Sequence, residues 1–583
     1  MNILSVSGKN WISKEFSSED VDFFKTNYFL DEIVAKLLSI RKIKMEEIKF
    51  FLDPSIKNIL PNPYILKDMD TAIDRIEEAI LGKEKIGIFG DYDVDGATST
   101  AILGKYFELL NIPFATYIPD RQKEGFGPNE QGFLKLINQG VNLIFTVDCG
   151  TLSFAPMDFA KKKKIDVIIL DHHQSEPILP SAHSIVNPNR FDDRSELNYL
   201  CAAGVCFMFL VALNKRLRDQ NWFSSSSITE PELMNILDLV SLGTVCDVVP
   251  LVGLNRAFVR QGLKILKRKN NLGLKTLIDV CKIESSITTY HLGYILGPRI
   301  NAGGRVGKST HGADLLLNKN PKNAFQLAAD LNIYNEERKI LESELLNKIL
   351  NTDFKTSSEP VVILYGENWH EGIIGIIAAR IKDKYNKPTI VISVNNGIGK
   401  GSGRSIAGFD LGSTIIGAVQ SGLLSKGGGH KMAAGFTIHM DKFNEFKEFV
   451  FRKFKSVNIN LEEKKNYYFD VEIAPSAVNI EFFEKINILA PFGSGNPEPR
   501  FVIKDVKLVN SKLIAEKHIK IILIGSDATT LKAISFNSAG TQLGSHLLKK
   551  NIKPFDIAGK LSLNEWRGQK NVEFIIDDIS VIK

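Results

Sequence analysis

Residues 85–100 read KIGIFGDYDVDGATST, and the fold of the first half of the chain is legible from them. The apolar run from Ile86 to Phe89 fits a short buried strand bounded by glycines. It delivers a carboxylate at every second residue, Asp91, Asp93 and Asp95, and after Gly96 a helical pattern starts at Ala97. One Asp in a strand-to-helix turn is ordinary, as a turn former or an N-cap. Three so close together repel one another and lose hydration. A divalent cation is the simplest compensation, because hard cations take carboxylate oxygens.

The alternation continues outward. Strand 85–89 precedes helix 97–110, strand 113–117 precedes helix 129–138, strand 143–147 precedes helix 155–163, and strand 166–170 follows. Apolar strands spaced by helices predict an α/β domain with a doubly wound parallel sheet, whose site lies beyond the carboxyl ends of the strands. Those ends are chemically loaded. Asp148, Cys149 and Gly150 follow strand 143–147; Asp171, His172 and His173 follow strand 166–170; the apolar helix 233–245 runs into Cys246, Asp247 and Val248. Alone, His172 and His173 would be read as a solvated loop. Four independent sets at one sheet edge, offering five or more carboxylates and two imidazoles, favour a metal centre. Carboxylates and imidazoles without a thiolate set suit Mn2+ or Mg2+. The supply is too rich for one ion, so two ions ~3.5–4 Å apart sharing a carboxylate are expected. Asp148 is the expected bridge, because it leaves a central strand alone. Such a pair clamps a phosphoryl group and activates water, so the reaction class is hydrolysis of a phosphate ester.

The chain has 583 residues, which predicts several domains. A hydrophobic content of 44% with 24% charged residues is that of a globular protein, and a net charge of +6 is compatible with a polyanionic ligand. The five cysteines (149, 201, 206, 246 and 281) form no Cys-x-x-Cys pair, which argues against a zinc knuckle and for reduced thiols in the cytoplasm. The first residues lack an apolar core segment, and no apolar run reaches the ~20 residues of a membrane helix, so neither a signal peptide nor a membrane role is expected.

Residues 1–60 read as a helical lead-in, with Trp11 and the Phe pairs at 23–24 and 50–51 packing it onto the body. Residues 61–330 read as the catalytic domain, 331–358 as a connecting helix and linker, 359–455 as a second, smaller α/β domain, and 465–583 as a strand-rich barrel. Arg121, in the loop 118–128, is placed to fork onto a phosphate. The polar, Ser-rich stretch 214–231 reads as an exposed excursion. AGGRVGKS (302–309) lacks the preceding strand of a nucleotide loop, so no ATP is expected. The surrounding 296–309 reads instead as a glycine-loosened loop in which Arg299, Asn301 and Arg305 face a nucleic-acid backbone. GKGSGR (399–404) and GGGH (427–430) read as glycine-rich anion cradles. There Ser402, Arg404 and His430 add side-chain donors, and Gly428 and Gly429 add backbone N–H groups. In the barrel, Trp566 beside Arg567, and Phe492, are candidate stacking aromatics.

GDYDVDG, TVDCG, DHH and GTVCDVVPL, in this order, resemble the four motifs of the DHH phosphoesterase superfamily. YIPDRQKEGFG (117–127), LGPRINAGGR (296–305), WHEGIIGIIAARI (369–381), GSGRSIAGFDL (401–411), GGGHKMAAGF (427–436) and NEWRGQ (564–569) resemble its branch of bacterial 5′→3′ exonucleases specific for single-stranded DNA. The resemblance covers nearly the whole chain. It implies a DHH domain, a DHHA1 domain and an OB-fold, with Asp93, Asp95, Asp148, His172, His173 and Asp247 at metal or catalytic positions and Asp91 as ligand or support. It implies that Ser402 and Arg404, with Arg121 and Arg305, hold a terminal 5′-phosphate. A His that some relatives carry in the first motif is replaced here by Phe89. The expected protein is a monomeric enzyme of DNA repair and recombination that releases mononucleotides. A helicase and a single-strand-binding protein are its expected partners. Two other readings compete: a phosphodiesterase of short oligonucleotides or cyclic dinucleotides, against which the barrel argues, and a non-catalytic replication scaffold, against which the intact acidic motifs argue.

Overall fold

A computed structural model of the chain describes residues 5–351, 359–457, 466–549, 553–566 and 569–581. Its first sheet has five parallel strands: Lys85–Gly90, Phe114–Tyr117, Val141–Val147, Asp166–Leu170 and Ser184–Val186. The last, only three residues long, was not anticipated. Numbered in sequence, the strands lie in the order 2-1-3-4-5, all in parallel register. The order therefore reverses between Lys85–Gly90 and Val141–Val147, the two strands that end in Gly90–Asp91 and Asp148. A switch point of this kind opens a crevice at the strand ends. The central strands are buried on both faces. Phe89 packs against Tyr117 and Phe133 in that core, so its position points away from the site.

Several local expectations are corrected. The helix after the first strand spans Val94–Leu109 and so starts three residues before Ala97, with Asp93 as its N-cap and Asp95 in its first turn. Residues 297–306 are not a loop but the helix Gly297–Val306, entered through a π-helical turn, Leu292–Leu296. The excursion 214–231 begins inside the helix Ala202–Asp219, whose Asn214 is buried and accepts a hydrogen bond from the Tyr106 hydroxyl. The helix Pro321–Leu350 leads toward the second lobe; most of the expected linker, residues 352–358, lies outside the described residues.

The second lobe is a five-stranded mixed sheet in which Ile398–Arg404 lies between Thr389–Asn395 and Ala433–His439, and Lys426–His430 forms an edge. Both glycine-rich stretches are therefore strands, not turns. A Cβ on Gly401 would sit 2.2 Å from Phe436, and one on Gly403 would sit 2.5 Å from Leu411. These glycines make room for the lobe's own core. The alternate residues Lys400, Ser402 and Arg404 share the opposite face, as strand geometry requires.

The third unit is a closed barrel. Phe501–Ile514, His518–Ile524, Thr530–Ser535, Gln569–Val581 and Phe555–Trp566 pair in that order, and the last pairs back to the first. Along His518–Ile524, Ile519, Ile521 and Leu523 point inward, as period-two patterning dictates. Most of the lead-in packs here, while its last turns meet the catalytic body, where Ile56 joins the core and Ile59 and Leu60 pack against it. Phe24, Leu37 and Leu38 join the barrel core, strand Asn10–Ser13 pairs with Asn466–Phe469, and Trp11 Nε1 donates to Asp578 Oδ2 at 3.1 Å. Phe492 packs against the same core.

One buried cation joins these units. Arg256, in the helix Gly253–Leu266, donates to the carbonyls of Phe51 (2.8 Å), Leu489 (2.9 Å), Ala490 (2.9 Å) and Pro491 (3.3 Å) and lies 3.9 Å over the Phe51 ring. Burial pushes its guanidinium down to about 9, with Arg260 and Arg41 adding repulsion. Arg256→Ala leaves four carbonyls without this donor. It is expected to cost about 2–3 kcal/mol, the range for hydrogen bonds to a charged group, and to expose the 489–500 segment to proteolysis. Urea unfolding with limited digestion measures both; an unchanged midpoint would show the joint to be dispensable.

Candidate active site

Asp148 stands at the centre of the crevice. It follows the strand Val141–Val147 in a left-handed conformation, φ 61°, which Asp tolerates better than most residues. Its Oδ1 lies 3.3 Å from His172 Nε2 and 3.9 Å from His173 Nδ1. His172 Nε2 is also 3.6 Å from Asp247 Oδ2 and 3.8 Å from Asp95 Oδ2. Three ligand sets result, each with its ligand atoms within 4.8 Å of one another: Asp91, Asp93 and Asp148; Asp148, His172 and His173; Asp95, His172 and Asp247. Asp148 and His172 each belong to two of them. Asp247 reaches the cluster because its helix, Leu237–Cys246, packs tightly on Val94–Leu109. A Cβ on Gly243 would lie 2.6 Å from Thr98 Oγ1 and 2.7 Å from Asp95 Oδ1.

The donor set fits divalent cations. Asp91 Oδ1 and His172 Nε2 are buried without a hydrogen-bond partner. Native proteins rarely leave such atoms orphaned unless something else binds them. Burial, then the neighbouring carboxylates, pushes Asp95 up to about 7 and Asp247 up to about 9, and raises Asp91 and Asp148 well above the usual range. A cation among them would reverse that penalty. Burial and the adjacent His173 hold His172 down to about 4, so it is neutral at physiological pH, as a ligand must be. Asp95 is the most encumbered ligand: its oxygens accept the backbone N–H groups of Ala202 (2.6 Å) and Ala203 (3.0 Å).

His173 is held differently. Burial opposes its charge, but Asp171 outweighs this and raises it to about 9. Its Nδ1 lies 2.7 Å from Asp171 Oδ1, which also accepts the His172 and His173 N–H groups. The side chain of Asn187 donates to the His173 carbonyl, and that of Asn189 to the His172 carbonyl. The sequence places Asp171 at the strand end but gives it no role, and Asn187 and Asn189 were not foreseen. The Asp-His-His run displays the first of them; the two asparagines have no sequence signal short of the fold.

A second cluster faces this one from across the crevice. Arg121 lies 5.1 Å over the Tyr92 ring, Arg305 Nη1 donates to the Gly372 carbonyl at 3.1 Å, and Arg404 Nη1 bonds Ser402 Oγ at 3.3 Å and its neighbour's carbonyl at 2.8 Å. Among the described residues, none of the three guanidinium groups contacts a carboxylate there. Burial lowers Arg305 to about 9, with Arg121, Arg338 and Arg404 repelling it, and burial and Arg121 also lower Arg404. Unneutralised cations pressed together in this way call for an anion. Arg404 and His430 share one row of the sheet through Ala433. Burial lowers His430, with Arg404 and His173 adding. On the same face a Cβ on Gly428 would meet nothing within 4 Å, so the surface beside Ser402 is open. Gly429 is closed by Ala433 and Ala434.

Two expected contacts are absent. Arg299 is engaged elsewhere: its Nε donates to Asn332 of the helix Pro321–Leu350 and its Nη1 to the Ile295 carbonyl of the π-helical turn at 2.7 Å. This is the ordinary structural role for such an arginine. Asn301 is half-buried in the helix Gly297–Val306, not presented on a loop. The side chain of Trp566 and all of Arg567 lie outside the described residues. Phe126 was overlooked: it is exposed and meets the His173 ring edge-on at 5.6 Å.

Comparison with known proteins agrees with this geometry. Residues 85–244 match the DHH family N-terminal domain, 358–456 the DHHA1 domain and 469–578 the RecJ OB domain. The single-stranded-DNA-specific exonuclease RecJ of Dickeya dadantii is 33% identical over 565 residues, covering 94% of this chain and 96% of the relative. That of Escherichia coli is 33% identical over 545 residues, covering 91% and 92%. The crystal structure of Thermus thermophilus RecJ with Mn2+ superposes with a TM-score of 0.79 at 26% identity, over 98% of this chain and 79% of that one. Its Mg2+ complex gives a TM-score of 0.74.

Proposed function

This chain belongs to the RecJ family of single-stranded-DNA-specific exonucleases, and we propose that it removes mononucleotides from the 5′ end by a two-metal mechanism, in DNA repair and recombination. It is a metal-dependent hydrolase acting on single-stranded DNA. The observation that carries the two-ion reading is the position of Asp148, shared between ligand sets on either side of it. Asp91 and Asp93 would hold one ion with Asp148; His172, Asp95 and Asp247 would hold the other, with His173 close by. Bound Mn2+ or Mg2+ supplies Lewis acidity and a nucleophilic water at neutral pH.

The side chains supply the rest. Asp171 fixes the Nδ1 side of His173, leaving Nε2 as the free nitrogen. In the ion-free fold Asp171 holds this ring protonated, and Nε2 would be placed to give a proton to the departing 3′ oxygen as the phosphorus–oxygen bond breaks. Arg121, Arg305, Ser402 and Arg404 would clamp the terminal 5′-phosphate, and His430 would lie at the edge of that pocket. A pocket for this dianion next to the cleavage centre selects chain ends and sets polarity. The crevice between the lobes would admit one strand and exclude a duplex by size. A helicase would then have to supply the substrate, with a single-strand-binding protein guarding it. One chain supplies both lobes and the barrel, so a monomer would suffice, and the free cysteines suit the cytoplasm.

End-labelled DNA tests this reading: release from 5′ but not 3′ ends, from single but not double strands, with Mn2+ and not with chelator. Arg404→Ala is expected to lower the preference for 5′-phosphate over 5′-hydroxyl ends roughly ten- to a hundredfold, the value of a lost charge-assisted hydrogen bond. A preference equal to wild type would place the terminal phosphate elsewhere.

A further inference from the structure

Tyr290 and Tyr294 have no part in the site described above, yet they stand beside it. Large aromatic side chains are normally tucked in, but these two are 59% and 74% exposed and stacked on one another, with ring centroids 5.2 Å apart and planes 28° apart. Tyr290 lies in the helical turn Thr289–His291 and Tyr294 in the π-helical turn Leu292–Leu296 just after it. Such turns are rare and often mark functional places.

The turn is pressed onto the metal centre's own helix. A Cβ on Gly297 would sit 2.5 Å from Cys246 Sγ, and one on Gly293 would sit 3.5 Å from Val245. Cys246 Sγ also bonds the Leu292 carbonyl at 3.4 Å. Cys246 is the residue before Asp247. On the other side, Thr289 Oγ1 donates to the Phe492 carbonyl at 2.7 Å, in the segment that leads into the barrel. The segment 289–297 that carries the two tyrosines thus touches the residue before Asp247 on one side and the approach to the barrel on the other.

We propose that Tyr290 and Tyr294 form a stacking platform for nucleobases of the substrate strand, between the metal centre and the barrel, on the 3′ side of the scissile bond. The inference rests on the exonuclease reading above. Two parallel rings accept any base, since every base has a π-face, and hold the strand without reading its sequence. The tyrosines are positioning residues: they steady the strand while it is drawn toward the ions and touch no reacting atom.

The test uses the full-length chain with Mn2+, a single-stranded 20-mer, a 20-mer with abasic residues behind its first two nucleotides, and a 5′-phosphorylated dinucleotide. Tyr290→Ala and Tyr294→Ala are each expected to raise KM for the ordinary 20-mer roughly tenfold, the scale of one lost base stack, with kcat unchanged. The abasic 20-mer should bind wild type as weakly as the variants, and the dinucleotide should be cut equally by all. Tyr→Phe should restore KM, whereas Tyr→Leu, which keeps the apolar cover, should not. An unchanged KM in the double alanine variant overturns the platform, as does rescue by leucine. A wild-type enzyme that cuts no single-stranded DNA would instead overturn the exonuclease reading, so the two failures are distinct.

Discussion

Asp148→Ala is expected to abolish nucleotide release while leaving single-stranded DNA bound. Among the described residues no other carboxylate belongs to two of the three ligand sets, with His172 at 3.3 Å on one side and Asp91 and Asp93 on the other. Removing it should weaken both ion sites together. The loss should exceed the roughly 10²–10³-fold cost of deleting a single preorganised donor. Binding should survive, because the guanidinium cluster and the barrel are built from other residues. Asp148→Asn is the sharper version, since it keeps volume and removes charge. Single-turnover release and fluorescence anisotropy, run side by side, measure both arms. Turnover within tenfold of wild type would remove Asp148 from the bridging position and leave the two-ion arrangement without its centre.

Mn2+ is expected to stabilise the protein more at high pH than at low pH. In the metal-free fold, Asp95 sits at about 7 and Asp247 at about 9, with burial the leading cause, and Asp91 and Asp148 lie well above the usual range. In the unfolded chain these carboxyls titrate near ~3.9. Between those limits the folded protein holds more protons than the unfolded one. Their contribution to stability is complete below about pH 4 and is lost as pH rises through the folded values, up to about 9. His173, raised to about 9, acts in the same direction. His172, lowered to about 4, acts oppositely, but only below its ordinary 6.5. The comparison therefore belongs at pH 6.5 and 8.5. With chelator, Tm should fall between the two. With Mn2+ at one fixed concentration, a hundredfold above its Kd at pH 6.5, about 2.7 kcal/mol is added there, and the gain should be larger at pH 8.5, where Kd is lower because fewer protons must be displaced. Scanning calorimetry at both pH values decides it. An equal Mn2+ shift at each pH would show that the ions do not displace these protons, and Asp148→Ala should lose most of the shift.

The parallel sheet was legible because buried strands must be apolar and their crossovers helical, a pattern that needs no partner to be seen. The same logic placed Asp91, Asp148, His172 and Asp247 at strand or helix ends, where the crevice lies. Glycine was the poorest guide. In Ile398–Arg404 it looked like a turn former, but Phe436 and Leu411 occupy the space its side chains would need, so the segment is a strand. In Gly297–Val306 it looked like a loosened loop, but a helix forms because its glycines let it lie against Cys246 and Tyr92. The lead-in was correctly read as apolar and helical, yet its partner, the barrel, follows more than 400 residues later, and nothing local announces it.

The amino-acid order by itself specified which groups carry the chemistry: their type, their spacing and the edge they occupy. It did not specify which of them meet. Asp247 approaches Asp95 because Gly243 allows two helices to touch. In the ion-free fold burial keeps His172 neutral, while His173 is charged because its ring alone bonds Asp171. Arg305 and Arg404 face a shared space while Arg299 does not, because one helix turns its arginines in different directions. Coulombic and hydrogen-bond energies fall off within a few ångströms, so these assignments belong to packing between segments far apart in the chain.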